Sequence, residues 1–259
     1  MDFKHFICEI ANHVALVTIN RPPVNALNSE VFSELSELTD ELEENEEVRA
    51  IVLTGSGEKA FIAGADVKEM ATKDLNGLNL MNKKSRTVFS KIENANKPVI
   101  AAINGMALGG GFELALACDL RICSDRAKFS FPEVGLGIIP GGGGTQRLQK
   151  IVGQGIAKEL IYFGDMIDAN RALDLQLVNK VVAHDAIRDE ALAWANKLAK
   201  KPAIALQMAK VAINYGKNVD TESGLMMETT AFSTSFSSED AKEGLTAFTE
   251  KRKPQYVGK

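Results

Sequence analysis

The sequence predicts an α/β fold in which short strands alternate with helices and a helical region closes the chain. Short apolar runs bounded by Gly, Pro or Asn, such as 49-RAIVLTG-55, are typical of buried strands. Longer segments with apolar residues on one face, such as 30–48, are typical of amphipathic helices. The order strand, strand, helix recurs at irregular spacing, which does not fit a regular doubly wound sheet.

The first half of the chain contains most of the predicted strands. The segment 6-FICEIANHVALVTIN-20 predicts a hairpin that turns at Ala11-Asn12. A Pro-rich break follows at 21–28, and Asn28 or Ser29 is suited to cap the helix over 30–48. The remaining predicted elements are strands over 49–55, 98–103 and 119–124, and a helix over about 75–94 that ends before Lys97-Pro98.

Helical patterns dominate the rest of the chain. Predicted helices cover 168–175, 185–200, 202–216, 222–236 and 238–252. We therefore divide the chain into a core domain at residues 1–195, which would carry the site, and a helical region at residues 196–259. A terminal group of helices often packs against a partner subunit, so we expect residues 196–259 to serve in oligomerisation.

Composition and charge limit the classes of function. The chain has 259 residues, 45% of them hydrophobic and 25% charged, as is typical of a folded soluble protein. Its 30 basic and 34 acidic residues give a net charge of −4, so no nucleic-acid surface is expected. The N-terminus has no secretory signal pattern, and three cysteines do not form a disulfide framework. These features predict a cytoplasmic protein.

Neither a membrane span nor a metal site is predicted. The apolar run 99–118 is about as long as a membrane span, but Asn104 and Glu113 interrupt it, and a central acid is costly in lipid. The histidines have no metal-ligand spacing. They are His5, His13 and His184.

Three glycine-rich stretches, 63-AGAD-66, 109-GGG-111 and 141-GGGG-144, suggest a ligand site. A P-loop and a dinucleotide fingerprint are both excluded, because the later residues of those motifs are missing. The G-x-S-x-G elbow of serine hydrolases is also absent. The glycines could form tight turns only. Alternatively, they let backbone N–H groups approach a ligand, and two converging N–H groups would form an oxyanion hole.

Two carboxylates depart from the usual solvated setting of acidic residues. Glu113 is the one charge in the apolar run 99–118, directly after a glycine cluster. Glu133 is the one charge between Lys128 and Arg147. Each could be a satisfied structural acid. Together they could instead share one water molecule, with one acting as base and the other as acid.

Four segments resemble the enoyl-CoA hydratase family, also called the crotonase family. They are 61-FIAGADVKEM-70, 98-PVIAAINGMALGGGFELALACDLRICS-124, 131-FPEVGLGIIPGGGGTQRL-148 and 238-SEDAKEGLTAFTEKRKPQY-256. Their order and spacing agree with the family over essentially the whole chain. The resemblance implies a crotonase-type spiral of repeated β-β-α units followed by a C-terminal helical region. It also implies a homo-oligomer, either a trimer or a hexamer made of two trimers.

The resemblance assigns a role to particular residues. The two N–H groups of the family's oxyanion hole fall on Ala65 and Gly110, and its two catalytic glutamates fall on Glu113 and Glu133. The glycine that opens the later helix falls on Gly141, whose N–H would help to place the reacting water. Asp66 would tie down its loop. The stretch along the CoA moiety would comprise Ala63, Gly64, Asp66, Val67 and Lys68.

The implied reaction is reversible addition of water to a trans-2-enoyl-CoA, giving a (3S)-3-hydroxyacyl-CoA. Glu113, as a carboxylate, would take a proton from water, and Glu133, as a carboxylic acid, would deliver a proton to C2. No metal or redox cofactor is expected, because coenzyme A is part of the acyl-CoA substrate.

Two alternatives remain open. Retention of both glutamates favours hydration, but Phe131 stands where many hydratases carry a polar residue. This departure leaves an enoyl-CoA isomerase or another acyl-CoA enzyme of the same superfamily possible. The alternative from another class is a non-catalytic protein that binds acyl-CoA or RNA, and the acidic balance disfavours RNA.

Overall fold

The computed structural model describes residues 3–259, over which ten strands form two sheets. The strands are β1 (Phe6–Ala11), β2 (Val14–Ile19), β3 (Ala50–Gly55), β4 (Ala60–Ala63), β5 (Val99–Ile103), β6 (Met106–Leu108), β7 (Leu120–Ser124), β8 (Lys128–Ser130), β9 (Ile167–Asp168) and β10 (Lys180–Val182). The first sheet has the order β1-β2-β3-β5-β7-β10, and the second has the order β4-β6-β8-β9. Only the pairs β1–β2 and β8–β9 are antiparallel.

Helices occupy most of the remaining chain. They are α1 (Ser29–Glu44), α2 (Val67–Met70), α3 (Leu75–Asn94), α4 (Gly110–Ala117), α5 (Gly144–Phe163), α6 (Ala169–Asp174), α7 (Ile187–Ala199), α8 (Ala203–Gly216), α9 (Thr221–Phe236) and α10 (Glu239–Thr249). Short 3-10 helices lie at Pro132–Leu136 and His184–Ala186. The predicted elements are confirmed, including the helix over 75–94 and the β1–β2 hairpin, although this hairpin turns at Asn12-His13 rather than at Ala11-Asn12.

Successive strands alternate between the two sheets. Strands β3, β5 and β7 lie in the first sheet, and the strands that directly follow them, β4, β6 and β8, lie in the second. Each pair then leads into a helix, namely α3, α4 or α5 once the short helical segments are passed. This arrangement confirms the predicted spiral of β-β-α units. The apolar run 99–118 forms β5, β6 and α4, and within residues 3–259 no helix is long and apolar enough to cross a membrane.

The amphipathic helices pack as the sequence predicts. Asn28 caps α1 by accepting a 2.8 Å hydrogen bond from the Val31 N–H, and the leucines on one face of α1 are buried. Helix α7 covers the other face of the first sheet through its alanines. The boundary proposed at residue 195 therefore falls inside α7. Helices α8 to α10 bury few side chains, and their role in oligomerisation stays a prediction.

Candidate active site

Glu113 lies in the first turn of α4, and this helix is buried along almost its whole length. Gly109 precedes the helix with a φ of 48° and a ψ of −120°, a combination that glycine tolerates far better than other residues. Gly111 packs its Cα so close to Ile62 that a side chain would collide with the Ile62 backbone. The glycine run therefore brings α4 against β4 and directs the Glu113 side chain into the interior.

The Glu113 carboxylate is held by two backbone N–H groups of the loop before α5. Its Oε1 accepts from the N–H of Gly142 at 2.8 Å and from that of Gly144 at 2.7 Å. The side chain is nearly inaccessible to solvent, with 4% of the residue exposed. Burial raises the pKa of Glu113, and these hydrogen bonds and the Arg147 charge oppose the rise in part. Oε1 is thus fixed, while Oε2 accepts no hydrogen bond from the described part of the chain.

Glu133 approaches from the other side of the glycine cluster. It lies in the 3-10 helix Pro132–Leu136, which follows β8. Its Oε1 sits 2.7 Å from the position that a Cβ at Gly109 would occupy, and its buried Oε2 has no hydrogen-bond partner among residues 3–259. Burial, with a further contribution from the Glu113 charge, raises the pKa of Glu133 to about 7. Glu133 is therefore able to hold a proton near neutral pH.

The two glutamates flank a pair of backbone N–H groups. Ala65 follows β4 and forms an isolated bridge with Leu27, in which the Leu27 N–H bonds to Gly64 O and the Asp66 N–H bonds to Leu27 O. That bridge leaves the Ala65 N–H unused. Gly110 is the first residue of α4, where an N–H has no acceptor inside the helix. A Cβ built on Gly110 would lie 3.8 Å from the Ala65 nitrogen and 4.0 Å from Glu113 Oε2.

The loop that carries Ala65 is anchored by Asp66. Asp66 Oδ1 accepts from the N–H groups of Lys68 and Glu69 and so caps α2. Its Oδ2 accepts from Arg21 Nη2 at 2.6 Å, and this bond lowers the pKa of Asp66. These contacts fix the loop between β4 and α2. Val67 and Lys68 are exposed beside it, and Ala63 and Gly64 are half-buried.

The structure changes the description of the loop at 141–144. Helix α5 begins at Gly144 rather than at Gly141, because Gly143 has a φ of 114° and cannot continue a helix. Gly141 lies against Asn82, whose Oδ1 is 2.8 Å from where a Cβ at Gly141 would be. The residues that bind Glu113 are Gly142 and Gly144, which the sequence analysis did not single out.

Phe131, the departure noted in the sequence, is a packing residue. Its ring is fully buried, stacks on Phe112 at a centroid distance of 4.8 Å, and lies 2.7 Å from the position of a Cβ at Gly144. Phe89 is buried on the neighbouring side, at 2.7 Å from the corresponding position of Gly142. Aromatic rings therefore pack against the two glycines whose N–H groups bind the Glu113 carboxylate.

One group of possible metal ligands occurs within residues 3–259. It brings His5 together with Glu30 and Glu34, although the sequence spacing of the histidines did not suggest it. Their polar groups are already engaged, since His5 Nε2 pairs with Glu30 at 2.9 Å and the His5 N–H donates to Glu34 at 2.9 Å. Lys4 also binds Glu30. The group is remote in sequence from both glutamates of the site.

Replacing Gly109 with alanine is expected to disturb both the fold and Glu133. The backbone there is strained for any L-residue by about 1–3 kcal/mol, and the new methyl group would meet the Glu133 carboxylate at 2.7 Å. We expect a lower melting temperature and a loss of turnover of about 10²-fold. Gly155→Ala is the matched control, because that position lies in α5 with nothing near its Cβ. Similar values for the two variants would contradict the assigned role of Gly109.

Comparison with known proteins agrees with this geometry. The profile of the enoyl-CoA hydratase/isomerase family matches residues 9–259. The chain is 48% identical to a short-chain-enoyl-CoA hydratase of Clostridium acetobutylicum, over 98% of this chain and 97% of the relative. It is 42% identical to a crotonyl-CoA hydratase of Syntrophomonas wolfei, over the full length of both. A crystal structure of an enoyl-CoA hydratase from Bacillus anthracis superposes with a TM-score of 0.95 at 42% identity, covering 99% of this chain and 100% of that one.

The two interleaved sheets and the two glutamates beside free backbone amides define an enzyme of the crotonase fold. The chain belongs to the enoyl-CoA hydratase/isomerase family.

Proposed function

We propose that this chain is an enoyl-CoA hydratase that adds water reversibly across the double bond of a short-chain trans-2-enoyl-CoA. One observation carries the proposal: the buried Glu113 and the partly buried Glu133 lie beside the unused N–H groups of Ala65 and Gly110. An acid and a base on either side of an anion-binding pair of amides suit the addition of water to a conjugated thioester. The names of the relatives, a short-chain and a crotonyl-CoA hydratase, support the same reaction.

In the proposed reaction, the amides of Ala65 and Gly110 bind the thioester oxygen. Negative charge develops on this oxygen as water attacks C3 of the enoyl group. Backbone N–H groups fixed by the fold stabilise that charge without reorganising, and one such donor typically lowers a barrier by about 3–4 kcal/mol. The bridge between Leu27 and Ala65 keeps the first amide in place, and the start of α4 keeps the second.

The two glutamates share the proton transfers. Glu113 takes a proton from the attacking water, and Glu133 delivers a proton to C2, so that the product is a (3S)-3-hydroxyacyl-CoA. The pair must carry one proton in total, which makes its titration a property of both groups. The pKa of Glu133 at about 7 supports its role as the protonated partner. In dehydration the two roles are exchanged.

The substrate is proposed to be a CoA thioester of short acyl chain. Coenzyme A belongs to the substrate, and the loop at 63–68 would lie along it. The reaction as written uses no metal or redox cofactor. The names of two relatives support a short chain. The buried rings of Phe89, Phe112 and Phe131 support it too, because they occupy the interior behind Glu113.

Turnover against a panel of trans-2-enoyl-CoA esters from C4 to C16 tests the proposal, with isomerisation of a 3-enoyl-CoA measured in parallel. We expect water addition to the C4 ester to be fastest. Faster isomerisation than hydration would favour the isomerase alternative, which Phe131 keeps open. Tight binding of the esters without turnover of any kind would instead indicate a non-catalytic acyl-CoA-binding protein.

The same proposal includes a homo-oligomer in the cytoplasm. The C-terminal helices expose large apolar side chains, with Ile213 at 71%, Phe232 at 66% and Phe248 at 84% exposed, as on surfaces that meet a partner. The three cysteines are all free thiols, as is usual in a reducing compartment. A solution mass of three or six times 28.0 kDa would agree with a trimer or a hexamer, and a monomer would contradict both.

A further inference from the structure

A series of ion pairs contacts the loop at 141–144, which binds Glu113, from outside the site. Arg147 Nη1 donates to the carbonyl oxygen of Gly142 at 3.0 Å. The Nε and Nη2 of the same guanidinium donate to Glu93 Oε2 at 3.1 and 2.8 Å. Lys217 Nζ in turn donates to Glu93 Oε1 at 2.8 Å. Glu93 therefore joins Arg147 on α5 to Lys217, which follows α8.

We propose that Arg147 is a positioning residue for Glu113, and that Glu93 and Lys217 hold Arg147 in the orientation this requires. This inference rests on the proposed function of the site. Gly142 provides both ends of the connection, since its carbonyl accepts from Arg147 and its N–H donates to Glu113 Oε1. The link from the ion pairs to the carboxylate thus passes through a single residue.

The composition of the loop at 141–144 explains why it needs the hydrogen bond from Arg147. Residues 141–144 are four glycines, which have more backbone freedom than any other residue and no side chains to pack. Hydrogen bonds to its backbone therefore add to the contacts of Asn82, Phe89 and Phe131 in ordering this loop. Arg147 provides one from the outer side, and Glu113 accepts two on the inner side. Arginine suits the outer position because its planar fork donates in two directions at once.

The charge of Arg147, like its hydrogen bonds, supports the role of Glu113 as the base. The charge of Arg147 lowers the pKa of Glu113 and so favours the carboxylate form that accepts a proton from water. The other titratable groups that face this region are Glu133, Glu93 and Lys217. Burial alone would raise the pKa of Glu93, but its bonds to Lys217 and Arg147 outweigh burial and lower it. Glu93 therefore stays ionised and keeps Arg147 in place.

Lys217 extends the connection to the C-terminal helical region. Helix α8 has no fully buried residue and borders a cavity of about 460 Å³ between itself and the core. Several polar contacts attach it to the rest of the chain, among them Gln207 with Asn96 and Asn214 with the Glu93 carbonyl oxygen, and two of the contacts are ion pairs. Lys210 pairs with Asp119 at 2.9 Å, and Lys217 pairs with Glu93. Of these two ion pairs, only that of Lys217 involves Glu93, which binds Arg147, so the position of α8 is expected to affect catalysis through Lys217.

The test compares Arg147→Met, Arg147→Lys, Glu93→Gln and Lys217→Met with wild type in the hydration assay. We expect Arg147→Met to lower kcat by up to about 10²-fold, with a much smaller change in KM, because the base is misplaced rather than removed. The acidic limb of its pH profile should move to higher pH, since Glu113 loses the nearby cation. Arg147→Lys should restore part of both effects, and Glu93→Gln and Lys217→Met should show smaller changes of the same sign.

Lys210→Met is the matched control, because it removes the other ion pair of α8 without touching the loop at 141–144. It should lower thermal stability while leaving kcat and the pH profile at wild-type values. If Arg147→Met behaved like this control, or failed to fold while Glu93→Gln and Lys217→Met kept the wild-type pH profile, the inference would be wrong. The wild-type rate of water addition reports separately on the proposed function, since the inference concerns only ratios of variant to wild type.

Discussion

Glu113→Gln is expected to lower kcat/KM for water addition to crotonyl-CoA by about 10²–10⁴-fold, the usual range for loss of a general base. An amide cannot accept the proton that water must lose, whereas the thioester-binding amides of Ala65 and Gly110 remain in place. KM should therefore change little. Steady-state kinetics on the purified variant measure both parameters.

The structure explains why this substitution should leave the fold intact. Glu113 Oε1 accepts the N–H groups of Gly142 and Gly144, and a glutamine carbonyl oxygen can accept both in the same place. The substitution replaces a carboxyl that burial makes costly to ionise with a neutral amide, so it leaves no unpaired charge in the interior. Glu37→Gln on the exposed face of α1 is the control for a change of charge alone. Wild-type turnover by Glu113→Gln would exclude Glu113 as the base.

Glu113 could be found from the sequence because a single charge in an apolar run must be buried and must then be satisfied. The alternation of strands and helices was likewise predictable, since it depends on local patterns of apolar residues. The partners of Glu113 were not. They lie 29 and 31 residues away in the chain, and a glycine run alone does not show which of its N–H groups faces a carboxylate.

The two glycine stretches could be located from the sequence, but their contacts could not be predicted from it. The sequence identified 109–111 and 141–144 as places for close backbone approach, which is a local property of glycine. It did not show that Gly109 faces Glu133, because that contact depends on how β8 and α4 meet in space. The start of α5 at Gly144 was also missed, since only the backbone angle at Gly143 decides it. The ion pair between Glu93 and Lys217 spans 124 residues and leaves no sequence signal.

Glu133→Gln is expected to lose at least about 10²-fold of the hydration rate, as is usual when a general acid is removed. Glutamine carries no proton acidic enough to be delivered to C2. In wild type, kcat/KM should fall as the pH rises above about 7, because Glu133 then ionises in the free enzyme. The variant should lose most of its activity, and its remaining kcat/KM should not fall as the pH rises above about 7.

The same variant should be more stable than wild type at high pH. Glu133 has a pKa of about 7 in the folded chain, above its ordinary value of 4.5, so the folded state holds a proton that the unfolded state has released. The stability of wild type therefore falls as the pH rises from about 4.5 to about 7. The full difference would be about 3 kcal/mol at 1.4 kcal/mol per pH unit. Because Glu133 is only partly buried, solvent screening reduces the expected gain to about 1–2 kcal/mol.

Thermal unfolding of wild type and Glu133→Gln at equal protomer concentration tests whether the variant is the more stable of the two at high pH. The melting temperature of the variant should exceed that of wild type by a few degrees near pH 8, at about 2–4 °C per kcal/mol, and the two should converge near pH 4.5. Glu37→Gln should show no such pH-dependent difference in melting temperature from wild type. A variant that is inactive yet no more stable near pH 8 would mean that the Glu133 carboxyl is ionised without penalty in the folded chain. The acid in the proposed reaction would then have to be another group, because a carboxyl already ionised at neutral pH has no proton to give to C2.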